Sequence, residues 1–293
     1  MLKWAIFGST GLLGFSLVSQ LIKIEQEVYG VSSKPAENFI CQNHVFNAAN
    51  IADVREFFKK IQPKIVVNCI ALTDLSLAEK DKDLAYELNI TIAKNLATVC
   101  MENNSKFVHI STDSVFDGKK GDYSEEDSTN PLNYYAQTKL ESEQEVKKIL
   151  PNYLILRTNM YGLNYRNKSS LLEWFYENLK KGQSITGFTD VFFNPLSTKN
   201  ISKAIIELVE KNVEGLYHLS SFEKISKYEF GITTANVFGL NKELIKEGRI
   251  DDLNLFPKRP KDTSLNNDKI SKILNVPLLN SKESITKIKE DFK

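Results

Sequence analysis

The sequence predicts an α/β chain: a doubly wound parallel sheet with a smaller C-terminal α/β substrate-binding lobe. Three observations carry this. Short apolar runs alternate with helical patterns through the first half of the chain. The first run, Lys3–Phe7, opens directly into a glycine-rich turn, Gly8-Ser9-Thr10-Gly11-Leu12-Leu13-Gly14. Residues 65–71 form a nearly continuous apolar run, as expected of a central parallel strand covered on both faces.

The glycine turn is spaced GxxGxxG. Gly8 lets the backbone leave the strand, Gly11 removes a side chain where a pyrophosphate approaches, and Gly14 lets helix and strand pack closely. The helix N-terminus then offers free N–H groups to phosphates. This is a Rossmann-type beginning.

The remaining elements follow in order. Residues 12–24 keep Leu13, Leu17, Val18, Leu21 and Ile22 at helical spacing. Glu27–Ser32 reads as a second strand and residues 43–46 as a short third. Asp53 is expected to cap a helix over 53–61, which Pro63 closes. A long helical pattern fills 77–101, and 106–110 is the next buried strand. Residues 131–139 open another helix, and 153–157 complete the nucleotide-binding sheet. Leu171–Lys180 is a helix with an aromatic core face. Residues 188–195 form a loop that lines a sugar pocket or plugs the interdomain cleft. Residues 201–210 form a helix returning to the first domain. Residues 215–219, Lys227–Phe238 and the lysine-rich tail are assigned to the smaller lobe. Residues 1–160 are thus the dinucleotide-binding domain, rejoined by about 190–212, and 161–293 are mainly the smaller lobe.

Composition narrows the function. The chain has 293 residues, 42% hydrophobic and 26% charged, enough for a packed core. With 38 basic and 37 acidic residues and no basic block, nucleic acid is not the expected partner. Cys41, Cys69 and Cys100 form no CxxC or Cys/His cluster, so no metal site is expected and the thiols are read as free, with Cys69 inert in the core. No apolar run reaches membrane-spanning length and no targeting pattern precedes the first strand, so a cytoplasmic protein is expected.

In such sheets ligands sit at the carboxyl ends of the strands. That aligns residues 8–14, 32–34, 68–71 and 111–114 along one rim. The second strand ends in Ser32-Ser33-Lys34 where many NAD enzymes carry a carboxylate. Hydroxyls and a lysine suit a ribose 2′-phosphate, so NADPH is preferred and NADH is the alternative. The bland reading is a polar loop with a solvated lysine. Further on, Tyr135 and Lys139 share one helix face. A phenol titrates near pH ~10, and a neighbouring ammonium favours the phenolate, so Lys139 is expected to ease proton exchange at Tyr135. Thr112 is placed to hold a carbonyl beside it. Tyr134 competes for the acid role, but its partner four residues on, Thr138, is uncharged. A YxxxK alone is a common accident; the glycine turn, the Ser-Thr at a strand end and the Tyr-Lys pair gain weight from their order.

These residues resemble the extended short-chain dehydrogenase/reductases, and within them the dTDP-4-dehydrorhamnose reductase family, over almost the whole length. Val67–Asp74 with Ala78, Glu79 and Asn89, and Ser111-Thr112-Asp113-Ser114-Val115-Phe116, carry the likeness. So do Leu156-Arg157-Thr158-Asn159-Met160-Tyr161-Gly162, Gly215-Leu216-Tyr217-His218-Leu219, Tyr228-Glu229-Phe230 and Arg259-Pro260. The resemblance implies a catalytic set of Thr112, Tyr135 and Lys139, with Tyr135 and Lys139 also against the cofactor. It implies pyrophosphate contacts from Gly8, Thr10, Gly11, Leu12 and Leu13. Asn50 and Ile51 would lie against the adenine; Asn68, Cys69, Ile70, Ala71 and Leu72 against the ribose and nicotinamide. Thr73, Asp113, Ser114, Asn159, Met160, Phe193 and Arg259 would face the substrate, Arg259 reaching a nucleotide diphosphate or forming a salt bridge in the smaller lobe.

The activity implied is NADPH-dependent reduction of a nucleotide-activated 4-keto sugar. The alternatives are a sugar-nucleotide epimerase and a cofactor-binding regulatory subunit like that of methionine adenosyltransferase. The partners implied are a sugar nucleotide and, as an open option, a second copy in a homodimer, with neither nucleic acid nor membrane. Three departures bear on the substrate. Ser114 stands where the family signature has tyrosine, Asn159-Met160-Tyr161 departs from Ser-Trp-Val, and Ser16 replaces a glutamate tied to a magnesium-bridged dimer in some members. Ser114 also lacks the acid that a 4,6-dehydratase needs after Asp113.

Overall fold

The structure is a computed structural model that describes residues 2–165 and 169–290. The amino-terminal part runs β1 (Lys3–Phe7), α1 (Leu12–Lys23), β2 (Glu27–Ser32), β3 (Gln42–Val45), α2 (Ile51–Ile61) and β4 (Ile65–Asn68). It continues through α3 (Leu75–Lys80), α4 (Lys82–Tyr86), a π-helical turn at Glu87–Thr91, α5 (Ile92–Glu102), β5 (Lys106–Thr112), α6 (Tyr134–Ile149) and β6 (Leu154–Thr158). The remainder is β7 (Met160–Tyr161), α7 (Leu171–Lys180), β8 (Ile185–Phe188), β9 (Phe192–Phe193), β10 (Leu196–Ser197), α8 (Thr198–Glu210) and β11 (Gly215–His218). Then come β12 (Ile225–Ser226), α9 (Lys227–Phe238), β13 (Ile245–Gly248), α10 (Asp268–Ser271) and α11 (Ser281–Lys289).

Seven parallel strands form the main sheet in the order β11-β6-β5-β4-β1-β2-β3. Alternate residues of β1 enter different cores. Trp4 and Ile6 pack with Leu17, Val18, Ile201 and Ile205 from α1 and α8. Ala5 and Phe7 pack with Val54, Phe58, Leu96 and Val146 from α2, α5 and α6. Both faces are covered, which is why the central strands read as continuous apolar runs. Burying each large apolar side chain contributes roughly 1.5–3 kcal/mol relative to exposure. A third core, including Tyr161, Phe175, Phe193, Phe230 and Ile285, is built by β7, β9, α7, α9 and α11.

Several elements differ from the sequence reading. Asn50, not Asp53, caps α2, its side chain accepting the Ala52 N–H; either polar residue satisfies the same orphan donors, and sequence alone does not rank them. The pattern over 77–101 is broken at Asp81, which caps α4, and then wound as a π turn before α5. The apolar run 65–71 leaves the sheet after Asn68, because the Asn68 side chain accepts the Ile70 N–H at 3.0 Å and turns the backbone outward. Residues 188–195 contain β9, which pairs antiparallel with β12. The stretch 215–219, assigned to the smaller lobe, supplies β11, the edge strand of the main sheet beside β6. The last residues of the lysine-rich tail, 291–293, lie outside the described residues. Among the described residues no helix is long and apolar enough to cross a membrane.

Candidate active site

The carboxyl ends of β1, β2, β4 and β5 bring the predicted segments to one rim. Gly8 turns with φ +79°, and a Cβ there would lie 3.0 Å from the Cys69 backbone. At Gly14 a Cβ would lie 2.1 Å from the Gly8 carbonyl oxygen, so helix and turn approach only without side chains. No side chain caps α1 at Gly11, which leaves its first-turn N–H groups for an anion. Thr10 and Leu13 are buried, whereas Gly11 is exposed and Leu12 half-buried. This cradle, which a Cβ would fill, fits the diphosphate of a dinucleotide.

The neighbouring segments divide. Ser33 and Lys34 are exposed at the rim. Ser32 is buried; its hydroxyl donates to the Lys34 carbonyl at 2.7 Å and accepts from Asn43 at 2.7 Å, so it braces the loop. Asn50 caps α2 and Ile51 begins it. Asn68 is buried and faces inward to His109, while Cys69, Ile70, Ala71 and Leu72 are half-buried along the rim. Burial pushes the Cys69 thiol up to about 12, in keeping with an unreactive residue. Asn89, on the π turn, accepts the Leu72 N–H at 2.8 Å and donates to Thr138 at 2.8 Å, tying this segment to α6.

At the end of β5 the Thr112 hydroxyl donates to Asp113 at 3.1 Å and lies close enough to the Tyr135 phenol to favour its ionisation. Asn133 caps α6, with its side chain accepting the Ala136 N–H, and so sets where Tyr135 and Lys139 project. Lys139 is 2% exposed, and its ammonium donates to the Ile110 carbonyl at 2.7 Å. Burial lowers the Lys139 pKa to about 8, with Glu143 opposing. Tyr135 as a residue keeps some solvent contact, yet burial of its phenol pushes the pKa up to about 12, with the Thr112 hydroxyl opposing. The expected lowering of this phenol by Lys139 is therefore not what the structure shows: desolvation dominates, and the ammonium is held by the strand instead.

His109 lies beneath. Its Nδ1 faces the Asn68 amide at 3.2 Å and its Nε2 the Ser142 hydroxyl at 2.9 Å. Asn68 accepts the Ile70 N–H with its oxygen, so its nitrogen donates to Nδ1. Ser142 donates to the Lys139 carbonyl, so Nε2 carries the proton. This network assigns a neutral imidazole, and burial together with the Lys139 charge holds its pKa well below the usual range. Tyr134 turns away: its N–H donates to Glu79 and its ring lies under Lys82.

The predicted substrate residues are not equivalent. Asp113 is 2% exposed. Its oxygens accept from Thr112 at 3.1 Å, Ser114 at 3.2 Å, Asn159 at 2.8 Å and Thr263 at 2.6 Å. It is a hub that fastens the loop, Asn159 and the segment of Thr263 together. Ser114 and Asn159 are bound to it, Met160 pairs with Leu196, and Thr73 is exposed before α3. Phe193 is buried, with the Lys227 ammonium 3.2 Å from its ring centroid. Arg259 is exposed and forms no ion pair among the described residues, so the expected alternative of a salt bridge in the smaller lobe is not found.

Sequence reasoning missed Thr263, Glu143 and Lys227 and gave Asn89 no role at the site. Glu143 binds Arg157 through two hydrogen bonds, 2.9 and 2.8 Å, and accepts from Ser111 at 2.5 Å. A glutamate four residues after Lys139 on the same helix face was the available signal. The Ser16 hydroxyl is hydrogen-bonded to Ser202 of α8 at 3.1 Å. A separate concavity lined by Lys3, Gln62, Pro63, Lys64 and Asn103 lies at the amino-terminal edge of the sheet, away from this chemistry.

The RmlD substrate binding domain matches residues 2–293, essentially the whole chain. The chain belongs to the RmlD substrate-binding family. Its Rossmann-type sheet matches the architecture of a solved dTDP-4-dehydrorhamnose reductase. A protein of Haloferax volcanii named "Probable low-salt glycan biosynthesis reductase Agl14" is 31% identical, covering 89% of this chain and 88% of its own. Methionine adenosyltransferase 2 subunit beta of Xenopus laevis is 27% identical, covering 92% of this chain and 81% of its own. The dTDP-4-dehydrorhamnose reductase of Bacillus anthracis, crystallised in complex with NADP, superposes with a TM-score of 0.87. It is 26% identical and covers 99% of this chain and 100% of its own.

Proposed function

We propose that this RmlD-family chain is a reductase that uses NADPH, with NADH as the alternative, to reduce the keto group of a nucleotide-activated 4-keto sugar. The observation that supports it most is the approach of the Thr112 hydroxyl to the Tyr135 phenol at the strand end, with Lys139 one helical turn on. When bound, the nicotinamide supplies a hydride to the carbonyl carbon. Thr112 holds the carbonyl oxygen beside the phenol. Tyr135, protonated at neutral pH because burial holds its pKa near 12, gives its proton to that oxygen as negative charge develops. Lys139, anchored on the Ile110 carbonyl, contacts the bound cofactor rather than tuning the phenol. Asn68 and His109 brace the strand end beneath Lys139. Gly8–Gly14 hold the diphosphate, and Ser33 and Lys34 stand where a 2′-phosphate would reach.

The test is NADPH consumption with a panel of 4-keto sugar nucleotides. A turnover-dependent loss of NADPH absorbance with one of them supports the reading. Tight cofactor binding without turnover on any of them would sink it. The likeness to the Xenopus subunit favours a second reading, a non-catalytic cofactor-binding subunit. Co-purification with a methionine adenosyltransferase catalytic chain, and no reductase turnover, would decide for it.

A further inference from the structure

A cation that the proton transfer leaves unused stands beside the Thr112–Asp113 strand end. Lys227 is the first residue of α9, fixed there by the Ser226 capping box and by its own N–H donating to the Val191 carbonyl at 3.0 Å. Its ammonium lies 3.2 Å from the centre of the buried Phe193 ring and, among the described residues, forms no salt bridge or side-chain hydrogen bond. A ring face attracts charge but satisfies no N–H donor directionally. The nearby carboxylate is Asp113, and its oxygens are already taken by Thr112, Ser114, Asn159 and Thr263. Arg259, from a different segment, adds a second positive charge that repels Lys227. Burial of the ammonium, the largest of these influences, lowers its pKa to about 7. The Lys227 ammonium thus keeps N–H donors to spare, within electrostatic reach of Asp113 and Arg259.

We infer that Lys227 receives an oxyanion of the substrate next to the reacting carbonyl and so sets which sugar nucleotides are accepted. This rests on the functional reading above. An oxyanion at that place belongs either to the diphosphate or to a carboxylate on the sugar ring. In both cases it accepts charge-assisted hydrogen bonds from the ammonium and relieves the repulsion between the two cations.

The experiment is calorimetric titration of the NADPH-loaded protein with free nucleoside diphosphate, its glucose ester and its glucuronate ester, in uridine and thymidine forms. Wild type is compared with Lys227→Met, Lys227→Gln and Lys227→Arg, and NADPH affinity reports whether each variant is folded. The expected result is a loss of about tenfold or more in Lys227→Met and Lys227→Gln, as for one lost charge-assisted bond. Lys227→Arg recovers most of it. A loss shared by all three ligands assigns the diphosphate; a loss confined to the glucuronate assigns a ring carboxylate. Wild-type binding that Lys227→Met and Lys227→Gln leave unchanged would overturn the inference alone. A wild type that binds none of these ligands would overturn the functional reading and the inference with it.

Discussion

The Lys139 ammonium donates to the Ile110 carbonyl oxygen at 2.7 Å, so strand β5 itself anchors the lysine that the proposed chemistry needs. The lysine is buried, with its pKa lowered from 10.5 to about 8. Its charge is therefore complete below that value and lost as pH rises through it. We expect kcat/KM for reduction to fall as pH rises through about 8, since kcat/KM reports the free enzyme. Lys139→Arg should move that limb upward. A profile flat across this range would count against the ammonium's role. The stability sign is opposite: between about 8 and 10.5 the unfolded chain binds a proton that the folded chain has released, so this lysine's contribution to stability rises with pH.

Tyr135→Phe removes the proposed proton donor but keeps the ring. Turnover should drop by roughly 10²–10⁴-fold, the usual share of a general acid. Cofactor affinity, followed by fluorescence titration, should stay close to wild type. Retained turnover would point to another acid.

The Glu143–Arg157 pair is 0% and 3% exposed. Arg157→Met leaves a buried carboxylate without its partner and should cost about 3–5 kcal/mol in urea unfolding. Replacing both residues by apolar ones of similar volume should cost much less, because no uncompensated charge remains. Equal losses for the single and double variants would contradict this account.

Gly14→Ala places a methyl where 2.1 Å separates it from the Gly8 carbonyl oxygen. The contact is with backbone, so the turn itself must shift. NADPH affinity should fall by more than tenfold, about 1.4 kcal/mol, with a lower melting temperature. Wild-type affinity in this variant would show that the turn is more pliant than its packing indicates.

The rim was legible because it rests on local rules. A glycine turn after a strand, a Ser-Thr at a strand end and a Tyr-Lys pair one turn apart each fix backbone or face within a few residues. The helix over 77–101 was less legible: a mixed α and π winding keeps nearly the same apolar spacing, and Asn89 is turned inward by partners on Leu72 and Thr138 that lie far along the chain.

The sequence by itself determined the alternating architecture, the family and the set of residues at the rim, since periodicity and motif spacing are properties of neighbouring positions. The tertiary structure decided the rest. It put residues 215–218 at the edge of the main sheet, made Asp113 a hub by bringing Thr263 within 2.6 Å, gave Lys139 to the Ile110 carbonyl, and set Lys227 over Phe193. Strand order, desolvation and long-range hydrogen bonds depend on segments up to 186 positions apart, and no local pattern encodes which of them meet.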